Sequence, residues 1–238
     1  MRVPKLERYR QLAAFPNFLE PPVKHLLETS FELSGKWNDA FFRRPAPLIL
    51  EMGCGWGDFS LGLARRFPDR NILGLDVKGG RIWRGAAMAL EEGLKNVGFI
   101  RIEGEALERL FAPGELDEIW VTFPTPYLRK PEKMLISPTF LARYRNLFAA
   151  EGFLHLKTDV EALAAYARKL WPLCGFRILD TESAEGRSDA DVAHESIDTN
   201  FQTRAVGKNK SIYYIKATPI FGEIAPIPKS LLRLPWSR

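Results

Sequence analysis

The chain has 238 residues, is 46% hydrophobic and 26% charged, and carries a formal charge of +5, values ordinary for one large globular α/β domain. No run approaches the ~18 apolar residues of a membrane span, and the opening MRVPKLERYRQ lacks the apolar core of a signal peptide, so a cytoplasmic protein with no membrane partner is expected. Cys54 and Cys174 stand alone, which excludes a disulfide framework and a cysteine metal site, and no metal is expected.

Residues 1–46 hold helix-like pieces and the Pro-rich break EPPVK, and are expected to form a helical or irregular extension. From residue 47 to 218, apolar runs alternate with amphipathic stretches, the pattern of a doubly wound, mostly parallel sheet with helices on both faces. Seven strands are predicted: 48–52, 71–77, 98–104, 117–123, 152–158, 175–181 and 211–217. The clearest helix starts at Ser137-Pro138, a cap followed by Pro at the first helical position. There Phe140, Leu141, Tyr144, Leu147 and Phe148 keep the spacing of a core-facing stripe.

Charge is unevenly spread along the chain. Residues 180–198 hold seven acids against one Arg, a net −6, which leaves +11 on the other 219 residues. A basic body favours a polyanion such as nucleic acid. The stretch 182–195 is expected to be a loop, and residues 219–238, with Pro at 219, 226, 228 and 235, a surface tail.

The run LILEMGCGWGDFSLGLARRF gives strand, tight turn and helix, with glycines at 53, 55 and 57. The dinucleotide fingerprint would need Gly at 58, where Asp stands, and an acid at that helix start repels a pyrophosphate. The loop therefore suits a ligand without phosphates. Asp76, at the end of the next strand, can accept both hydroxyls of a ribose, and Glu105 can accept from an adenine amino group. Glu51, with the amides of the turn at Gly53 and Gly55, would face an amino-acid end. Adenosine with an ammonium-bearing tail describes S-adenosylmethionine.

A third feature is FPTPYLRK, residues 123–130, directly after an apolar run. Pro124 and Pro126 cannot donate to a ladder, so the strand ends and residue 125 is held at the rim of the sheet. Arg129 and Lys130 follow as candidate nucleic-acid contacts, with Lys78, Arg81 and Arg84 near the cofactor rim. Tyr127 and Phe201 could stack an extruded base.

These residues resemble the tRNA (guanine-N7)-methyltransferases, which methylate the variable-loop guanosine of tRNA. The resemblance rests on GKWNDAFF, LEEGLKNV, APGE, the glycine loop, FPTP, HLKTD and a T-x-F segment, and leaves out the last twenty residues. It implies a Rossmann-like methyltransferase fold, S-adenosylmethionine bound at Glu51, Asp76 and Glu105, and tRNA as partner of a monomer or homodimer. It also makes residue 125 the catalytic position, where the family has Asp in F-P-D-P and this chain has Thr125. Arg129 stands at the family's substrate-contacting Lys, and Asp159 keeps the Asp of its T-D pair. Thr199, Asn200, Phe201 and Gln202 occupy its T-x-F-E segment, with Gln for Glu. Glu132 and Met134 replace usual cations. Three readings remain open at this point: a tRNA guanine-N7 methyltransferase, a catalytically weakened or silent homologue that binds cofactor and RNA, and a methyltransferase for another RNA site or a small molecule.

Overall fold

The computed structural model describes residues 3–127, 130–179, 197–224 and 227. Among them lie eight strands in one sheet, each introduced here with its bounds: β1 (Phe18–Leu19), β2 (Leu48–Met52), β3 (Asn71–Asp76), β4 (Val97–Arg101), β5 (Leu116–Thr122), β6 (Phe148–Thr158), β7 (Phe176–Leu179) and β8 (Tyr213–Pro219). Their order is β1-β4-β3-β2-β5-β6-β8-β7. All neighbours from β1 to β6 pair in parallel, and β8 runs antiparallel between β6 and β7.

The central strands are near-continuous apolar runs because helices cover both faces. Leu48, Leu50 and Met52 of β2 join Val121 and Leu156 in one core, capped by α6 (Pro138–Leu147) and α7 (Glu161–Leu170). Ile49 turns to the other core, with Phe59 of α3 (Asp58–Arg66), Ile82 of α4 (Gly79–Glu91) and Leu12 of α1 (Lys5–Ala14). Three shorter α-helices also lie among the described residues: α2 (Val23–Glu28), α5 (Leu107–Leu110) and α8 (Asn200–Val206).

Two expectations are corrected. The sheet has eight strands, not seven, because Phe18 and Leu19 pair with Phe99 and Ile100 at the edge. A two-residue strand is too short to leave an alternating pattern in sequence. Phe148, assigned to the helical stripe, opens β6 instead, although it stays buried with its four predicted companions. Ser137 caps α6 as expected, its Oγ accepting from Phe140 N.

Residues before 47 build core as well as covering it. Trp37 is fully buried, and its Nε1 donates to Leu110 O at 2.9 Å.

Candidate active site

The chain leaves β2 toward β3 on one side, while β5 flanks β2 on the other. The carboxyl ends of strands at such a switch point form a crevice. Here the crevice floor is the glycine loop. Gly53, Gly55 and Gly57 all have left-handed backbones, with φ of 74°, 57° and 75°, which glycine adopts without steric cost. Gly53 N and Cys54 N both donate to Leu75 O, at 2.7 and 2.9 Å, which ties the loop to the end of β3. At Gly57 a Cβ would lie 2.7 Å from the Phe99 ring, so the turn needs glycine for space too.

Glu51 lies beneath this loop, 1% exposed. Its Oε2 accepts from Ser60 N at 2.9 Å and Ser60 Oγ at 2.5 Å, and its Oε1 from Thr122 Oγ1 at 2.6 Å. Burial pushes its carboxyl up to about 7, against the opposing pull of the Ser60 and Thr122 hydrogen bonds. Asp76 closes the next side: Oδ2 accepts from Gly55 N at 2.9 Å and Oδ1 from Lys78 N at 2.8 Å. Ser60 and Thr122 escaped the sequence reading, although Thr122 follows the period-2 row Glu118, Trp120, Thr122 that faces α3.

The opposite wall comes from the end of β5. Strand pairing stops at Thr122, as the two prolines require. Phe123 N still donates to Lys157 O at 2.7 Å, but its φ is +46°. That conformation costs a bulky residue about 1–3 kcal/mol and is concentrated at functional sites. Thr125 and Tyr127 follow, both exposed on the cavity wall.

The third wall is the segment carrying α8, and α3 holds it. Ile197 packs onto Gly62, where an added Cβ would come within 2.3 Å of Ile197 Cγ2. Asp58 Oδ2 accepts from Asn200 N and Asn200 Nδ2, and Asp58 Oδ1 lies 3.4 Å from Arg84. Asp58 is thus a docking point for α8, which its place at a helix start did not disclose. Two guanidinium groups approach the Trp56 ring, Arg84 at 5.3 Å and Arg204 at 6.0 Å from its centroid.

Together these walls enclose a cavity of about 390 Å³. Of the residues singled out in sequence, Glu51, Gly53, Gly55, Asp76, Lys78, Arg81, Glu105, Thr125, Tyr127, Thr199 and Phe201 line it. Asn200 faces a smaller cleft beside it with Asp58 and Arg84. Asp159 is outside both, its Oδ2 accepting from Lys210 Nζ at 2.7 Å. Gln202 is outside both as well, its Nε2 donating to Asp198 Oδ1 at 3.4 Å. A Glu at 202 would instead meet Asp198 as a like charge, which gives a physical reason for Gln in this chain. Met134, in place of a usual cation, is buried core. Arg129 and the acidic stretch 182–195 lie outside the described residues. The lining also includes Trp56, Glu103, Phe123 and Lys133, none of them assigned to the site from sequence.

The family described as "Putative methyltransferase" matches residues 45–215. A tRNA (guanine-N(7)-)-methyltransferase of Christiangramia forsetii is 39% identical over 215 residues, covering 89% of this chain and 96% of that protein. The chain belongs to the tRNA (guanine-N7)-methyltransferase family. A second member, from Bacteroides fragilis, is 37% identical and covers 89% of this chain and 84% of its own. Among solved structures, one titled "Structure of an Antibiotic Related Methyltransferase" superposes with a TM-score of 0.60 over 81% of this chain and 97% of that one, at 16% identity. That likeness establishes the Rossmann-like methyltransferase fold. The cavity lies at the carboxyl ends of the parallel strands, where open α/β sheets commonly bind ligands.

Proposed function

We propose that this protein transfers the methyl group of S-adenosylmethionine to N7 of a tRNA guanosine in the variable loop, giving 7-methylguanosine. The observation that carries the reading is the match over 96% of the length of a tRNA (guanine-N(7)-)-methyltransferase.

The cavity fits the donor. Five carboxyl groups line it (Glu51, Asp58, Asp76, Glu103, Glu105) against three cations, Lys78, Arg81 and Lys133. An acid-rich lining suits a ligand with sulfonium and ammonium charges and no phosphate. Each Asp76 oxygen accepts one backbone N–H and keeps capacity for a ribose hydroxyl. Glu105, exposed at the rim, would accept from the adenine amino group, and Glu51 with the Gly53 and Gly55 turn would face the amino-acid end. When bound, S-adenosylmethionine supplies an electrophilic methyl group.

Guanine N7 has a lone pair and no proton to remove, so attack needs no general base and the chain's task is alignment. Thr125, projecting into the cavity opposite the glycine loop, offers a hydroxyl to the guanine edge. A neutral hydrogen bond contributes about 0.5–1.5 kcal/mol and a charged one about 1.5–3 kcal/mol, so Thr in place of Asp slows transfer by roughly tenfold without abolishing it. Thr199 and Phe201 complete the acceptor side, with Asn200 and Gln202 shaping α8 behind them. Lys78, Arg81, Lys133 and the exposed Lys130 supply phosphate contacts, joined by Arg129 and, at the end of β6, Asp159 as further contacts to the RNA. The protein acts as a monomer or homodimer, in the cytoplasm.

A silent homologue is the second reading, favoured by the neutral side chains at 125 and 202. Nuclease digestion and mass spectrometry of tRNA methylated by the protein separate the possibilities. The variable-loop fragment should gain one methyl group on guanine N7. Methylation confined to another fragment, or none at all, would overturn the reading.

A further inference from the structure

Phe123 and Phe201 meet across the cavity mouth. One ends β5 and the other sits in the first turn of α8, yet their ring planes lie within 17° of parallel and their centroids 6.3 Å apart. Both rings line the cavity, and Phe201 is 51% exposed. A strand continued through residue 123 would send this side chain to the α6 face of the sheet, because successive side chains alternate. The left-handed turn at Phe123, with φ of +46°, takes it out of that alternation, and the Phe123 N–H to Lys157 O bond fixes the turn. A backbone conformation rare for a bulky side chain is thus held for a ring that the core does not use.

We propose that Phe123 and Phe201 form a two-ring clamp for the flat face of the acceptor guanine, making Phe123 a substrate-binding residue. The proposal rests on the tRNA-guanosine reading given above. Bases stack about 3.4 Å apart, so a ring sandwiched between two others needs about 6.8 Å between the outer pair. The 6.3 Å between centroids is an upper limit on the present gap, so the rings must part by at least about half an ångström to admit a base. One jaw sits on α8, a seven-residue helix, and the other at the end of a central strand. A purine extruded from RNA loses its stacking neighbours, and aromatic side chains replace them. Stacked there, guanine lies beside Thr125, two residues beyond Phe123, and across the cavity from the glycine loop.

The test compares Phe123→Leu, Phe123→Tyr, Phe201→Leu and the double Leu variant with the wild-type protein. Steady-state methylation of tRNA, calorimetric binding of S-adenosylmethionine and thermal unfolding are measured on each. Stacking on one aromatic ring converts to roughly a tenfold effect or more, so each single Leu variant should raise KM for tRNA at least about tenfold. Its cofactor Kd should stay within about twofold, and Phe123→Tyr should behave as wild type. The double variant should lose less than the product of the singles, because one base spans both rings. An unchanged KM in Phe123→Leu overturns the clamp while leaving the methylation reading intact. So does a cofactor Kd that rises in step with KM, or a Tyr variant that folds normally but is not restored. Wild-type protein that forms no 7-methylguanosine in tRNA overturns the reading itself, and the clamp with it.

Discussion

Asp58 and Asn200, 142 residues apart in the chain, are joined twice: Asp58 Oδ2 accepts from Asn200 Nδ2 at 2.6 Å and from Asn200 N at 3.3 Å. One residue opens the helix after the glycine loop, and the other opens the helix that carries Phe201. The glycine-loop side and the α8 side of the cavity are therefore mechanically coupled. Hydrogen bonds to a charged group contribute about 1.5–3 kcal/mol. Asn200→Ala should lose about 1–2 kcal/mol of local stability, seen as faster amide hydrogen exchange across 200–206 with little change in global unfolding. Unaltered exchange there would show that the pair does not hold α8.

Gly62 gives a sharper version of the same test. Gly→Ala in a helix interior ordinarily gains about 1 kcal/mol. Here the new Cβ would collide with Ile197, at 2.3 Å from Cγ2, so Gly62→Ala should instead expel Ile197 and lower thermal stability. It should also cut kcat/KM for tRNA severalfold. A rise in melting temperature with full activity would contradict this docking.

Glu51 predicts a pH dependence whose sign is fixed by its surroundings. Its folded pKa is about 7, raised from 4.5 chiefly by burial. Between those values the native state holds a proton that the unfolded state has released, so stability falls as pH rises from about 4.5 to 7. The full span corresponds to about 3 kcal/mol. Urea unfolding of wild type and Glu51→Gln at pH 5 and 7.5 should therefore differ in slope, with the wild type losing about 2–3 kcal/mol more over that interval. Parallel pH profiles would remove Glu51 as the titrating group. A cationic ligand beside Glu51 would favour its carboxylate, so binding of S-adenosylmethionine near pH 6.5 should release protons in wild type and fewer in Glu51→Gln. Calorimetry in buffers of different ionisation enthalpy measures that difference.

Asp76 accepts from the loop at Gly55 N and is proposed to hold the ribose as well, whereas Thr125 is proposed to face only the acceptor. Asp76→Ala should weaken S-adenosylmethionine binding by roughly ten- to a hundredfold, since a charged hydrogen-bonding group contributes about 1.5–3 kcal/mol. Thr125→Ala should leave that affinity within about twofold. The reverse order in a calorimetric titration would remove Asp76 from the ribose site.

Much of this architecture is legible in the residues themselves. β2 and β3 are apolar runs because both their faces are covered, and the three glycines mark backbone that must turn left-handed. The prolines at 124 and 126 locate the end of β5 to within one residue, expected at 123 and found at Thr122. What stayed hidden depends on contacts between distant segments. Asp58 has a sufficient local explanation at a helix start, so nothing near it points to Asn200. Gln202 looks like a lost carboxylate until Asp198 is seen beside it. Met134 looks like a lost cation until it is seen in the core. Glu51 was legible as a residue beside the glycine loop, but not as a carboxyl held by three hydrogen bonds, because its donors sit on α3 and β5.

The most direct measurement is methyl transfer from labelled S-adenosylmethionine to tRNA purified from cells lacking 7-methylguanosine, with wild type and Thr125→Asp run in parallel. Wild-type protein should form stoichiometric 7-methylguanosine, at a rate that rises about tenfold when the carboxylate is introduced. No 7-methylguanosine from wild-type protein that binds S-adenosylmethionine would contradict the proposed function.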